Sequence, residues 1–130
     1  MFSPDGKWVA YQSDQSGRWE IYIRPYPAAG TRGRRVSIDG GMGPAWNPRG
    51  GELFFQTRAG LMSVAVANGI PTSAPRQLFA IEKSEGHHRE FDVAPDGERF
   101  LVMEPASART EIKVILNWFE ELKAKVPPAR

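Results

Sequence analysis

The sequence predicts an all-β fold made of repeated units, and two of its features carry that prediction. The first is the abundance of turn residues, 13 glycines and 11 prolines among 130 residues, which exceeds their average share of about 12% and argues against a helical bundle. The second is a turn motif that occurs three times, with Pro4, Pro48 and Pro95 spaced 44 and 47 residues apart. Such a period is close to that of a four-stranded propeller blade and too long for leucine-rich or ankyrin repeats.

Each copy of the motif places a proline and a glycine in a tight turn between two short strands. Proline holds φ at about −65°, and glycine adopts the positive φ that other residues adopt only at a cost. The turn therefore sets the register of its hairpin. The predicted turn residues are Pro4, Asp5 and Gly6 in the first copy, Pro48 and Gly50 in the second, and Pro95, Asp96 and Gly97 in the third.

The segments between the turns alternate apolar and polar residues, as strands with one buried face do. Strands are predicted at 19–24, 34–38, 61–66, 76–79 and 111–116. After them the period changes, and Asn117 with Glu120 fits a capping box that opens a helix. The chain thus divides into three units, at about 1–39, 40–81 and 82–116, followed by a short C-terminal helix at 117–125.

The turn at Ser3–Lys7, the run Trp8–Ser13 and the strand Glu20–Ile23 resemble the repeat of TolB-like β-propellers, also called WD-like repeats, and Gly43–Pro48 continues the pattern. The ending Val114–Leu122 resembles the C-terminus of propellers attached to bacterial serine/threonine kinase domains. This resemblance implies a protein-interaction or ligand-sensing module rather than a catalyst. It also implies a bacterial, extracytoplasmic parent protein.

Three units fall short of the 4–8 blades that close a propeller. The motif at Phe2 lacks the innermost strand expected before it, and the third unit lacks an outermost strand, so the first and last units are expected to be incomplete. We expect the C-terminal part of a longer propeller that self-associates, most simply as a homodimer with six units, since two-fold assemblies are the commonest. A monomeric open stack or sandwich of antiparallel sheets, capped by the C-terminal helix, is the alternative.

Composition narrows the class of partner and the compartment. Lysine and arginine exceed aspartate and glutamate by 17 to 15, a surplus too small to indicate nucleic acid or a membrane as partner. The absence of cysteine removes disulfides, thiolate nucleophiles and cysteine-bound zinc. The chain is expected to be soluble and to have no export signal of its own, and these features leave the compartment undetermined.

His88 and Arg89 are the candidate ligand-binding residues. Alignment of the repeats places them just before an inner strand, near one mouth of the expected central channel. Adjacent histidines on a strand point to opposite faces, so His87 and His88 are poorly placed to share a metal, and a solvated loop is the simpler interpretation. Turn roles likewise explain Asp5 and Asp96 better than calcium binding does, and an edge strand explains the arginines at 32–35 better than a phosphate site does.

The sequence contains none of the common catalytic or nucleotide-binding motifs. It lacks Gly-x-Ser-x-Gly, His-Glu-x-x-His, the P-loop and Gly-x-Gly-x-x-Gly. We therefore predict no enzymatic activity, no metal and no cofactor. Two alternatives stay open: the accessory propeller of a hydrolase with a prolyl-oligopeptidase-like parent, and a derived fragment with no biological ligand.

Overall fold

A computed structural model describes residues 1–27, 30–81, 89–104 and 111–115. Eleven strands lie in this part of the chain: β1 (Trp8–Ser13), β2 (Glu20–Pro25), β3 (Arg34–Arg35), β4 (Met42–Trp46), β5 (Glu52–Thr57), β6 (Gly60–Ala67), β7 (Ile70–Pro71), β8 (Arg76–Phe79), β9 (Phe91–Val93), β10 (Phe100–Glu104) and β11 (Glu111–Ile115).

The strands form three antiparallel sheets, here called blades 1, 2 and 3. Blade 1 has the order β1-β2-β3, and blade 3 has the order β11-β10-β9. In blade 2 the order is β4-β5-β6, with β7 and β8 both paired to β6. The predicted all-β architecture is confirmed for the described residues. The predicted helix at 117–125 lies outside them.

Blade 1 has only a remnant of an inner strand. Phe2 forms an isolated bridge with Val9, and the Ala10 amide donates to the Met1 carbonyl at 2.9 Å. In blades 2 and 3 the corresponding place is taken by β4 and β9, which pair with β5 and β10. The first blade is therefore incomplete on its inner side among the described residues.

The three proline turns share one backbone geometry. Gly6, Gly50 and Gly97 have φ of 70°, 78° and 70°, the left-handed region that favours glycine. Each donates its amide to the carbonyl three residues earlier, on Ser3, Asn47 and Ala94, at 2.9, 2.8 and 2.8 Å. The same residues, Ser3, Asn47 and Ala94, donate across the hairpin to Trp8, Glu52 and Arg99. The repeat in the sequence is thus a repeat of hydrogen bonding.

The apolar core lies between the blades, in two layers. The layer between blades 1 and 2 contains Ala10, Ile21, Ile23, Val36, Trp46, Leu53, Phe55, Val64 and Val66. The layer between blades 2 and 3 contains Ala45, Phe54, Leu61, Ile81, Phe91, Phe100 and Val102. Successive strand residues point to opposite faces, so Leu53 and Phe55 of β5 pack toward blade 1 and Phe54 packs toward blade 3. Burial of these side chains is what joins the blades.

Candidate binding surfaces

A groove runs between blades 1 and 2, where the loop before β4 meets the β5–β6 hairpin. It consists of two neighbouring cavities of about 420 and 430 Å³ that share Asp39, Gly40, Thr57 and Arg58. The loop before β4 is held to blade 1 because the Gly41 amide donates to the Trp19 carbonyl at 2.9 Å. The groove is therefore formed by the packing of blade 1 against blade 2.

The groove combines apolar walls with charged side chains of both signs, Arg58 and Asp39. Trp19 is 40% exposed and lines one cavity, while Ile38, 58% exposed, lines the other. Arg58 lines both and is exposed, and it forms no ion pair within the described ranges. An apolar ligand group beside a hydrogen-bond acceptor or an anion matches this lining.

A buried carboxylate supports the loop beside the groove. Glu20 is fully buried at the start of β2. It accepts hydrogen bonds from the Ser37 hydroxyl, from the Gly40 amide at 3.1 Å and from the Arg18 guanidinium Nε at 2.6 Å. Ser37 Oγ in turn accepts from the Ile21 amide at 2.8 Å. Burial of Glu20 opposes its ionisation, but the hydrogen bonds from Ser37 and Arg18, with the charge of Arg18, outweigh it and lower the pKa of Glu20.

Arg89, one of the two candidate ligand residues, is held by contacts within the chain. Its guanidinium lies 3.3 Å from the Asp92 carboxylate and 3.5 Å from the Met1 sulfur, and it sits over the Phe91 ring at 5.9 Å. Its Cβ lies close to Gly43, where an added methyl group would be only 2.9 Å away. Arg89 thus lies where the starts of all three blades converge. His88 lies outside the described residues.

The turn aspartates bind their own backbone. Asp5 Oδ1 accepts from the Ser3 hydroxyl at 2.5 Å and from the Lys7 amide at 3.1 Å, and these bonds lower the pKa of Asp5. Asp96 Oδ1 accepts from the Glu98 amide at 3.0 Å, and Asp96 Oδ2 accepts from Arg99 Nε at 2.5 Å. The bond from the Glu98 amide is the main cause of the lowered pKa of Asp96. These contacts stabilise the turn hydrogen-bonding pattern.

The turn of blade 2 also contacts the turn of blade 3. That turn has Arg49 where the other two have an aspartate, and Asn47 Oδ1 accepts from the Arg49 amide at 3.0 Å. Asn47 Nδ2 donates to the Gly97 carbonyl at 3.3 Å, and Arg49 pairs with Glu98 at 3.2 Å. The turn that contains Pro48 and Gly50 is therefore part of the contact between blades 2 and 3.

Two glutamines tie each blade to the next, and sequence reasoning missed both. Gln12 Oε1 accepts from the Gly43 amide at 2.8 Å, so blade 1 holds the inner strand of blade 2. Gln56 Oε1 accepts from the Glu90 amide at 2.8 Å, so blade 2 holds the start of blade 3. Gln12 and Gln56 are 44 residues apart, the same spacing as Pro4 and Pro48. The shared 44-residue spacing is the feature of the sequence that could have identified these two glutamines.

The arginine cluster lies at a sheet edge. Arg34 and Arg35 form β3, which is the last strand of blade 1, and both are exposed. No group of three or more histidine, cysteine, aspartate or glutamate side chains suited to a metal is found among the residues that the structure describes. A search of the same residues for a helix long and apolar enough to cross a membrane finds none.

Comparison with known proteins places the fold. No family model and no curated protein matches the sequence. Among solved structures, TolB from Acinetobacter baumannii superposes with a TM-score of 0.69 at 15% identity, covering 89% of this chain and 28% of that one. The putative TolB from Agrobacterium tumefaciens superposes with a TM-score of 0.60 at 20% identity, covering 88% and 40%. The chain spans less than half the length of either structure, and it has the fold of part of a TolB-like β-propeller.

Proposed function

We propose that this chain is a non-catalytic scaffold or binding module that completes its propeller by pairing with a second copy of itself. The observation that supports this is the exposure of apolar side chains at both ends of the blade stack. Phe2 on blade 1 is 54% exposed, and Leu101 and Met103 on blade 3 are 43% and 48% exposed. Uncovered sheet faces of this kind mark interaction surfaces or aggregation liabilities, and association of two copies covers both.

The groove between blades 1 and 2 is the surface on which this module binds a partner or a small ligand. It presents an aromatic wall at Trp19 and a cation at Arg58, and it lies at a joint between structural units, where ligand sites occur preferentially. His88 and Arg89 remain the second candidate, and Arg89 lies near the start of blade 3. The proposal of a module without catalytic activity is supported by the sequence, which lacks the motifs of hydrolases and nucleotide-binding enzymes.

We infer a bacterial parent protein in which this module is the extracytoplasmic sensor of a serine/threonine kinase. The support is the resemblance of Val114–Leu122 to the ends of kinase-attached propellers, together with the TolB fold of the described residues. The reading frame upstream of the coding sequence tests this inference. A kinase domain followed by a membrane span is the expected finding, and a hydrolase domain would overturn it.

The mass of the purified chain in solution tests the assembly. Light scattering across a concentration series is expected to give about 29 kDa, twice the 14.5 kDa of one chain, since a six-unit ring lies within the range in which propellers close. A mass of 14.5 kDa at all concentrations would overturn the homodimer. A mass above 29 kDa that grows with concentration would overturn the closed ring, because open head-to-tail contacts give filaments.

A further inference from the structure

We propose that the two copies meet through one specific pair of sheet faces, with Leu101 of one copy packed on Val9 of the other. The side of a blade that faces the next blade along the chain is here called its leading face, and the opposite side its trailing face. The leading face of blade 3 then covers the trailing face of blade 1 in the second copy. This inference rests on the proposed homodimer and names the surfaces that form it.

The two joints within the chain use the same residues of the repeat. At the first joint, Ala10 on the leading face of blade 1 lies in one apolar layer with Leu53 and Phe55 on the trailing face of blade 2. At the second, Phe54 on the leading face of blade 2 lies in one layer with Phe100 and Val102 of blade 3. Phe54 meets Phe100 edge to face, with ring centroids 4.9 Å apart. Equivalent positions of the repeat therefore pack against each other at both joints.

The same positions on blade 3 are uncovered. Leu101 lies 47 residues after Phe54, and it is 43% exposed whereas Phe54 is fully buried. Met103 lies 47 residues after Gln56, and it is 48% exposed whereas Gln56 is buried. The leading face of blade 3 thus has the position, strand direction and apolar character of a joint surface, without a blade against it among the described residues.

The trailing face of blade 1 is its counterpart. Three of its residues lie 44 residues before buried residues of blade 2: Phe2 before Trp46, Val9 before Leu53, and Tyr11 before Phe55. The three residues of blade 2 are each 5% exposed or less. In blade 1, Phe2 is 54% exposed, and Val9 and Tyr11 are only partly buried. The end faces of the stack are therefore the two halves of the joint already used twice within the chain.

The contact between copies follows from this equivalence. Phe54 corresponds to Leu101, and Phe100 corresponds to Val9 through the two repeat spacings. The Phe54–Phe100 contact is therefore expected to recur as Leu101 against Val9 of the second copy. A two-fold dimer forms this contact twice, which closes the stack and leaves no joint surface exposed.

Charges on the two faces are complementary. Asp92 is the cross-strand partner of Leu101, so it shares the leading face of blade 3. Its carboxylate pairs with Arg89 at 3.3 Å, and its side chain is still 66% exposed. Arg24 is the cross-strand partner of Val9 and is exposed on the trailing face of blade 1, over the Tyr11 ring at 5.6 Å. An acidic group on one face and a basic group on the other favour this orientation over contact between like faces.

The joint between copies differs from the internal joints in one respect. Gln12 and Gln56 accept hydrogen bonds from the Gly43 and Glu90 amides, at the start of the following blade, but Met103 occupies that position in blade 3. The joint between copies is thus apolar at the place where the internal joints carry a hydrogen bond. It therefore lacks the added directional contact that fixes the internal blades.

Chemical cross-linking tests the pairing, and the chain is suited to it because it has no cysteine. A chain carrying Val9→Cys is mixed with one carrying Leu101→Cys, and the mixture is treated with a short bis-maleimide. We expect a covalent dimer of about 29 kDa, twice the 14.5 kDa of one chain. The matched control replaces Val9→Cys by Ile70→Cys, an exposed apolar position on β7 of blade 2, and is expected to give at least tenfold less product.

Leu101→Asp gives a second, independent measurement. Because Leu101 is exposed in the single chain, this variant is expected to keep its β-sheet circular dichroism while its mass in solution falls from about 29 to 14.5 kDa. A folded variant that stays dimeric would overturn the pairing of faces. So would a product from Leu101→Cys alone that exceeds the mixed product, since it would place like faces together. A monomeric unmodified chain would instead overturn the homodimer itself.

Discussion

At the scale of single residues, the most consequential side chain is the buried Glu20. It carries a negative charge in a fully buried position. Three donors from two segments surround it, Arg18 before β2 and Ser37 and Gly40 in the loop before β4. Removing such a charge from water is costly unless its hydrogen bonds are satisfied. Glu20 therefore fixes the loop before β4 against blade 1, and with it the wall of the groove.

Glu20 makes the stability of the protein sensitive to acid. Because the pKa of Glu20 is lowered in the folded protein, its contribution to stability is full above the unfolded value of about 4.3. It is lost as the pH falls through the lower folded pKa. We expect Glu20→Gln to be less stable than the unmodified chain at pH 7 and the gap to narrow below about pH 4. Urea unfolding between pH 3 and 7 measures this.

The control for this experiment is Glu98→Gln. Glu98 is half exposed and pairs with Arg49, which is more exposed, and such surface pairs contribute about 0–1 kcal/mol. Its free energy of unfolding is expected to stay within about 1 kcal/mol of that of the unmodified chain. A constant gap between Glu20→Gln and the unmodified chain across the whole pH range would show that Glu20 does not titrate differently on folding.

At the scale of elements, each blade is attached to the next by apolar packing and by polar contacts, among which one glutamine occupies the same repeat position at both joints. The packing is not directional, since it depends on the area buried. The glutamine bonds are directional, and they place the Gly43 and Glu90 amides, at the starts of the inner strands, against the preceding blade. The apolar layers therefore provide most of the cohesion, and Gln12 and Gln56 set the register of one blade on another.

Substitution of the buried glutamine is expected to weaken the joint between blades 2 and 3. Gln56→Leu keeps the side-chain volume but removes the acceptor of the Glu90 amide and the donor to the Glu90 carboxylate, at 2.8 and 3.3 Å. Losing partners of buried polar groups costs about 1–3 kcal/mol. Chemical denaturation of the variant measures the loss.

Two other glutamines supply the comparison. Gln12→Leu acts at the equivalent position of blade 1, where the side chain is only partly buried, and a smaller loss is expected. Gln77→Leu removes an exposed glutamine on β8 that donates to the Ala59 carbonyl, and a change within about 0.5 kcal/mol is expected. Equal losses for Gln56→Leu and Gln77→Leu would show that the joint does not depend on the buried amide.

At the scale of the whole molecule, the chain is a stack of three sheets whose end faces carry the same repeat positions as its internal joints. The apolar face of a sheet is buried only when another sheet or a layer of helices packs against it. Leu101 at one end and Phe2 at the other are exposed where Phe54 and Trp46 are buried. Stability and assembly are therefore coupled in the proposed dimer.

This coupling predicts that thermal stability depends on protein concentration. If unfolding separates the copies, each tenfold rise in protein concentration stabilises the folded dimer by about 1.4 kcal/mol. For a dimer of two such chains, this raises Tm by about 3–5 °C. Differential scanning calorimetry from micromolar to near-millimolar chain measures it. The monomeric variant Leu101→Asp is the control, with a Tm independent of concentration. A constant Tm for the unmodified chain would contradict coupled folding and assembly.

Sequence reasoning reached the fold because the signal for it is local and repeated. The turns at Pro4, Pro48 and Pro95 need only a few consecutive residues, and glycine is favoured at their positive-φ positions. Most predicted strands coincide with observed ones, although the strand predicted at 34–38 covers only Arg34 and Arg35. Val36 and Ser37 leave that strand, Val36 to pack in the core and Ser37 to bind Glu20. The predicted three-unit division of the chain remains a prediction.

The candidate binding residues could be predicted only in part from the sequence. Arg89 was singled out from its repeat position, and its place beside Met1 is consistent with a convergence of the blade starts. The groove of Trp19 and Arg58 was missed, because it is formed mainly by three segments that are separate in sequence, at 18–19, 38–42 and 55–62. Its residues share no motif, and only the packing of blade 1 against blade 2 brings them to one surface.

The sequence by itself determined the β architecture and the period of its turns, since backbone preferences at proline and glycine act within a few residues. The tertiary structure decided which faces the blades bury, because one β5 strand presents Leu53 and Phe55 to one neighbour and Phe54 to the other. It also decided that Glu20 and Gln56 are buried with partners 17 and 34 residues away. Such pairings depend on how separate sheets stack, and stacking is a property of the folded chain as a whole.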